Sequence, residues 1–407
     1  MKILVVYQYF LDKDESGLSR FNKMLEYWEK EGHEITVIAG DVNYTTGTKK
    51  EQYKGKLFTK QQFSKNITLY RTYVSESYNK SILGRLWGYF SFTISSSLVS
   101  LFKINKHDVV IVSSPPLFVG IPGILLKLFK RIPLVFEVRD IWPESAIDLG
   151  LLNSKLLIKL SFLGEKLFYK FADKINVLTP AFKNYLVEKK GISEDKIMYI
   201  PNGADFDVFY PQEDSSKLET LKNPFEGKFL ISYFGSHSTA NKLEQLLDVA
   251  KACLQDKDIH FLLIGDGKEK VNLLKKAKKD GLSNITFLDQ QPREIINDYC
   301  AISDVGVAIL PKIDIFKTVY PSKVFDYLAA GKPVILGVDG VARELIEQHK
   351  CGIYVNPEDA VKFREEIIKL KNDKILLESM SNNGIRLMKN NFDREKLALQ
   401  YIEQLKF

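Results

Sequence analysis

Short apolar runs alternate along this chain with longer stretches whose apolar residues recur at helical spacing. Residues 2–7, KILVVY, are apolar on both faces, the pattern of a strand buried in a parallel sheet. Residues 18–31 follow with Phe21, Leu25 and Trp28 on one helical face. Gly32 stops that helix, and 34–39 is the next strand. A right-handed crossover then carries the loop around Gly17 to the carboxyl edge of the sheet, where open α/β sheets bind ligands. The same order predicts strands at 67–74, 108–112, 134–138, 172–178 and 196–200, with 45–65 a long polar loop. After a sharp turn at Pro201-Asn202-Gly203 the order restarts. Strands are expected at 229–234, 260–264, 285–288 and 305–310, separated by helices at 243–253, 268–279 and 294–302.

This is an α/β pattern, and at 407 residues the chain is too long for one core. It predicts two doubly wound Rossmann-like domains facing each other across a cleft, residues 1–204 and 205–391, with a C-terminal helix at about 392–407 packing back on the first. No G-x-G-x-x-G follows the first strand, so a nicotinamide-binding fingerprint is absent.

Polar chemistry is densest at residues 312–337, KIDIFKTVYPSKVFDYLAAGKPVILG. Pro321 suits the first turn of a helix, Val324, Phe325, Leu328 and Ala329 give its apolar face, and Gly331 before Lys332-Pro333 stops it. Ser322 and Lys323 stand at the helix start, with Asp326 one turn later. A helix start offers free N–H groups and partial positive charge, a ready anion site. A carboxylate one turn in can accept hydrogen bonds from sugar hydroxyls, and phosphate beside ribose means a nucleotide. The alternative is a capped surface helix with a solvated Asp326. In the first half, Arg139-Asp140 end a strand just before Trp142-Pro143-Glu144, where α/β enzymes place chemistry; a structural salt bridge is the alternative.

Charge changes the picture further. The net charge is +7, but residues 49–131 carry 14 Lys and Arg against 3 acids, so that segment is +11 and the rest is −4. Within it, 81–104 has a core of 17 uncharged residues that includes five serines, marginal for crossing a bilayer. Its aromatics, Trp87, Tyr89, Phe90 and Phe92, suit an interfacial helix on an anionic membrane surface or a buried amphipathic helix, and 117–130 is a second candidate for a membrane face. The basic segment carries no recognisable nucleic-acid-binding motif, and a nucleic-acid partner is not expected. Cys253, Cys300 and Cys351 form no Cys-x-x-Cys pair, which points to a reducing compartment and away from structural zinc. The opening strand is not a signal peptide.

The order of landmarks resembles a family 4 GT-B glycosyltransferase. The resemblance rests on Pro201-Asn202-Gly203 before Asp205 and Phe209, Tyr233-Phe234-Gly235, Gly265-Asp266-Gly267, Asp304 before an apolar strand, and the run from Pro321 to Val334. The markers Ser113-Ser114-Pro115-Pro116 and Glu137 to Ser145 resemble the subgroup that builds bacterial surface polysaccharide, including the N-acetyl-L-fucosamine transferases of O-antigen and capsule assembly.

The resemblance implies a UDP-sugar donor, retention at the anomeric carbon, no metal, a polyprenyl-diphosphate-linked acceptor, and work at the cytoplasmic face of the cell membrane. Asp326 matches the second carboxylate of the E-x7-E motif, which in the family binds the donor ribose; the first falls on Thr318. Lys242 matches the family lysine on the diphosphate. The arginine that accompanies it falls at Ser236, leaving Lys323, Lys312 or His237 to supply the charge. Gly265 is carried over with its loop, and Gly17 matches the loop under the donor phosphates. Arg139 takes the position of an active-site His in many relatives, with Asp140 the nearby acceptor-side carboxylate. Departures at Thr318, Ser236 and Arg139 leave a second reading open, a nucleotide-sugar-binding scaffold without catalysis.

Overall fold

A computed structural model describes residues 1–406 apart from 14, 16–19, 44–46, 78–80 and 214. Gly17 lies outside the described residues. The chain divides into two compact units, Met1–Pro201 with Glu395–Phe407, and Asn202–Arg394.

The first unit is built on strands β1 (Lys2–Val6), β2 (Glu34–Gly40), β3 (Phe58–Gln62), β4 (Ile67–Thr72), β5 (Val109–Ser114), β6 (Leu134–Val138), β7 (Lys174–Val177) and β8 (Ile197–Tyr199). They lie in the order β3-β4-β2-β1-β5-β6-β7-β8, parallel except for β3, which pairs antiparallel with β4. The strand order reverses between β1 and β5, where Val6 is in register with Val112. β3 falls inside the stretch expected to be a long loop. Its sequence, FTKQQ, has no apolar face because it is a half-exposed edge strand, so pattern alone could not find it.

One face of this sheet is covered by helix Arg20–Lys30 and the C-terminal helix Arg394–Gln404. Phe21, Met24 and Trp28 from the first pack with Leu397, Ala398 and Tyr401 from the second, all buried. The Trp28 indole N–H donates to the carbonyl of Ala398 at 2.8 Å, and its ring lies 5.4 Å from Tyr401. The other face carries helices Ile82–Phe102, Gly120–Lys130 and Lys155–Phe171. Phe136 of β6 stacks on Phe168 of the last of these.

The second unit has six parallel strands: β9 (Phe229–Phe234), β10 (Ile259–Ile264), β11 (Ile285–Leu288), β12 (Val305–Ile309), β13 (Val334–Gly337) and β14 (Gly352–Tyr354). Their order is β11-β10-β9-β12-β13-β14, with the reversal between β9 and β12. Both sheets are therefore doubly wound, and each has its switch point at a loop singled out by sequence.

Trp28 fills the space between two helices and hydrogen-bonds one of them. Trp28→Ala is expected to cost about 3–5 kcal/mol by cavity creation. Urea unfolding should show the loss in the transition of the first unit, with the second unit's transition unmoved.

Candidate functional site

The second unit gathers its polar groups at the carboxyl ends of β9, β10 and β12. Two tight loops meet there. Gly235 ends β9 at φ 137° and Gly265 ends β10 at φ 151°, backbone that favours glycine. A Cβ on Gly265 would stand 2.0 Å from the Gly235 carbonyl oxygen, so only glycine lets the loops close on each other. His237 N–H donates to the Asp266 carbonyl at 2.8 Å, and Lys270, nearly buried, ties the loop down through the Gly265 carbonyl at 2.9 Å and Asp289 at 2.6 Å. Sequence gave no sign of this role for Lys270, which reads there as one more residue of a basic helix.

Over these loops comes the helix Ser322–Ala329. Pro321 stands just before it rather than in its first turn, and no side chain caps the start, so the first N–H groups remain available. The helix is fixed by Tyr327, whose hydroxyl donates to the Ser232 carbonyl at 2.6 Å and whose ring fills the space over Gly306. Gly331, at φ 72°, ends it, with Lys332 N–H donating to the Tyr327 carbonyl at 2.8 Å.

This geometry brings four of the expected donor residues together. The Lys323 ammonium sits 3.8 Å from the Tyr233 ring centre and 3.3 Å from where a Cβ on Gly235 would be, and the His237 ring is 3.3 Å from the corresponding point on Gly265. No carboxylate lies within ion-pair distance of Lys323 among the described residues. Burial pushes its pKa down to about 7, only partly opposed by Asp326. Ser322 shares the helix start. Ser236 is exposed, and its carbonyl accepts from Asn241 and Tyr233. Lys242, in the left-handed region at φ 45°, and Lys312 are both exposed on the loops after β9 and β12, outside that contact group.

Two expectations are corrected. His237 supplies no charge: it is fully buried, neither ring nitrogen has a hydrogen-bond partner, and burial with the nearby Lys270 and Lys323 pushes its pKa down to about 4. Asp326 does not present an open carboxylate. Its side chain is 3% exposed and faces Arg293 at 3.5 Å. Arg293 in turn donates to Asp205 at 2.8 Å, and Asp205 also accepts from Arg394. Burial pushes Asp205 up, but Arg394 and Arg293 outweigh it and hold the carboxyl below its usual range. Burial pushes Asp326 the other way, to about 6, with Arg293 opposing.

In the first unit, Arg139 and Asp140 follow β6 beside the end of β5, where Arg139 N–H donates to the Ser114 carbonyl at 3.2 Å. The Arg139 guanidinium donates to the Tyr7 hydroxyl at 2.7 Å and lies over the Tyr7 ring, while its Nε is buried without a partner. Asp140 is half-buried, and burial pushes its pKa up to about 6 against the pull of Arg139. Beneath them, buried Glu137 joins Arg20, Ser113 and Asn176, and Arg20 donates to the carbonyls of Ile200 and Pro201. This network fixes the carboxyl edge and was not visible in the sequence. Of the aromatics expected at a membrane, Phe92 is fully buried and cannot reach one. Tyr89 is half-buried, and Trp87 and Phe90 are exposed.

Comparison with known proteins fits this arrangement. Residues 20–208 match the model of Glycosyltransferase Family 4, and residues 216–387 that of Glycosyl transferases group 1. The chain is a glycosyltransferase of the family 4 type. It is 24% identical over 331 residues to the chitobiosyldiphosphodolichol beta-mannosyltransferase of Kluyveromyces lactis, covering 73% of this chain and 70% of that one. It is 23% identical to the capsular polysaccharide biosynthesis glycosyltransferase CapM of Staphylococcus aureus, covering 74% and 78%. Among solved structures, Anabaena Alr3699/HepE in complex with UDP and glucose superposes with a TM-score of 0.73 at 18% identity, covering 100% and 99%. The lipopolysaccharide glycosyltransferase WaaG gives 0.69 at 15%, covering 100% of both. The fold of this family 4 glycosyltransferase is thus GT-B.

The two second-unit aspartates should behave oppositely. A carboxyl held below its usual pKa adds stability that is lost on acidification; one raised on folding lowers stability as pH rises through its window. Asp205→Asn leaves Arg394 and Arg293 without their buried partner and should cost about 3–5 kcal/mol in urea unfolding at pH 7. Asp326→Asn should be neutral or stabilising at pH 7 and should remove the fall in stability between the ordinary aspartate range and about pH 6.

Proposed function

We propose that this glycosyltransferase moves a sugar, an N-acetylated amino sugar, from a UDP-sugar to a polyprenyl-diphosphate-linked saccharide. The product is a bacterial surface polysaccharide of the capsule or O-antigen kind. Transfer proceeds with retention, without a metal, and at the cytoplasmic face of the cell membrane.

The observation that carries this reading is Lys323. A cation at an uncapped helix start, against two glycine loops and without a carboxylate partner, is built for an anion. Transfer from a nucleoside diphosphate sugar needs charge stabilised on the departing diphosphate, and Lys323, the helix N–H groups and the exposed Lys242 supply it. Lys323 stands in for the arginine missing at Ser236. Lys312 extends the positive rim, and Gly17 belongs to the loop under the phosphates. Ser322 meets the ribose, and Asp326 acts beneath it through Arg293. Arg139 and Asp140 act on the acceptor: Asp140, its pKa raised towards neutrality, takes the hydroxyl proton, and Arg139 orients it from Tyr7. UDP beside a sugar in the Anabaena structure and a diphosphodolichol acceptor in the yeast enzyme's name support the donor and acceptor classes.

A scaffold that binds the nucleotide sugar without transfer is the second reading, favoured by Thr318 and by the neutral His237.

Lys323→Ala is expected to weaken UDP binding by about 1–3 kcal/mol, the scale of a lost charge-assisted hydrogen bond, measured by calorimetry. Asp140→Asn should abolish transfer from UDP-sugars to a lipid-linked acceptor while leaving UDP affinity near wild type. Collapse of UDP affinity in Asp140→Asn would move that residue to the donor side or into the fold. A wild-type protein that binds UDP-sugars yet neither transfers nor slowly hydrolyses any of them would favour the scaffold.

A further inference from the structure

The helices Ile82–Phe102, Gly120–Lys130 and Lys155–Phe171 form one layer on a face of the first sheet. Their inner sides are filled in the usual way, by Phe92, Val99, Leu126 and Phe168. Their outer sides should be polar in a protein bathed in water, and they are not. Leu83, Trp87, Phe90, Ile94, Leu98 and Phe102 recur every three or four residues down the outer side of the first helix, all exposed, Trp87 by 53%. Leu128 and Phe129 continue the apolar surface on the second. Leu156, Leu160, Leu163 and Leu167 repeat the stripe on the third. Single exposed leucines are ordinary; contiguous stripes on neighbouring helices mark an interaction surface.

Charge says what covers it. With the positions that follow the first two, Lys103 and Arg131, these helices carry nine Lys and Arg. Their one acid, Glu165, is buried and bonded to Lys190 at 2.7 Å. Lys127 pairs with Asp173 beyond the helices, and no acid on the helices answers the rest. A second copy docking face to face would set this positive charge against itself. An apolar surface rimmed by lysine and arginine fits a layer of apolar chains beneath anionic headgroups. No described helix is long and apolar enough to cross a bilayer.

We infer that this three-helix face seats in the interface of an anionic lipid leaflet, with its helices lying flat and Trp87, Phe90 and the third helix's leucines reaching the acyl boundary. The inference takes its purpose from the lipid-borne acceptor of the proposed function. Its physics is separate, and vesicles lacking both donor and acceptor test it alone.

The full chain is mixed with vesicles of phosphatidylglycerol and cardiolipin, or of phosphatidylcholine, and sedimented. It should pellet with the anionic vesicles at low salt and be released at high salt, because the attraction is screened. Brominated acyl chains should quench Trp87 fluorescence, as the difference from a Trp87→Phe variant. Replacing Trp87, Phe90, Leu160 and Leu163 with Ser should lower partitioning about tenfold or more, with circular dichroism and thermal midpoint unchanged. Replacing Lys155, Lys159 and Lys166 with Gln should weaken binding to anionic vesicles and leave any binding to neutral ones unaltered. Wild type that stays in the supernatant at low salt overturns the inference. So does undiminished pelleting of the serine variant, or a stable dimer in sedimentation velocity that the serine variant dissolves. Vesicle binding without transfer to any lipid-linked acceptor would uphold this face and sink the reaction.

Discussion

A lysine ammonium partly withdrawn from water, with no carboxylate at ion-pair distance among the described residues, is the constraint on which the candidate site of the second unit depends. Lys323 rests on the Tyr233 ring at 3.8 Å, and the aromatic face offsets only part of what burial costs a charge. The arrangement persists because everything around it is held independently. Tyr327 bonds the helix to β9, Lys270 bonds the β10 loop from behind, and Gly235 and Gly265 close against each other. Such local instability, over-determined by its surroundings, is what a ligand site looks like before the ligand arrives. His237 adds to it: a buried imidazole with both nitrogens unpartnered and its pKa pushed down to about 4 brings no positive charge of its own to the loop.

The acidic groups beneath are divided between two tasks. Asp205 is held by two arginines close to where the chain enters and leaves the unit. Ala204 N–H donates to the Phe392 carbonyl at 2.8 Å, and Arg394 N–H returns to Ala204 at 3.1 Å. Asp326 touches the edge of the same network but gains less from it, so its carboxyl is raised where that of Asp205 is lowered. One aspartate locks the fold; the other sits under the helix start with charge in reserve.

Much of this was legible in the sequence, for identifiable reasons. β1, β5, β6, β9, β10, β12 and β13 are central parallel strands, apolar on both faces, and show as runs. The Gly331 stop and the Pro321-Ser322-Lys323 helix start follow from local rules that need no tertiary knowledge. The edge strand β3 escaped because an edge needs no apolar face, and the three-residue β14 because it is too short to show a period. Asp205, Arg293 and Arg394 meet across separations of 88 and 189 residues, which no local pattern encodes. Phe92 and Trp87 look alike in sequence; only the phase of the helix on its sheet tells the buried ring from the exposed one.

In the proposed function Lys323 meets the donor diphosphate, and burial pushes its pKa down to about 7 beforehand. An anion binding beside it must raise its pKa, so binding above neutrality must draw a proton from solution. Calorimetric titration of UDP at pH 8, in buffers of differing ionisation enthalpy, counts that proton directly. The wild type should take up a clear fraction of a proton and Lys323→Arg little or none, because its guanidinium is charged throughout. A binding enthalpy independent of buffer, or the same uptake in the arginine variant, would contradict it.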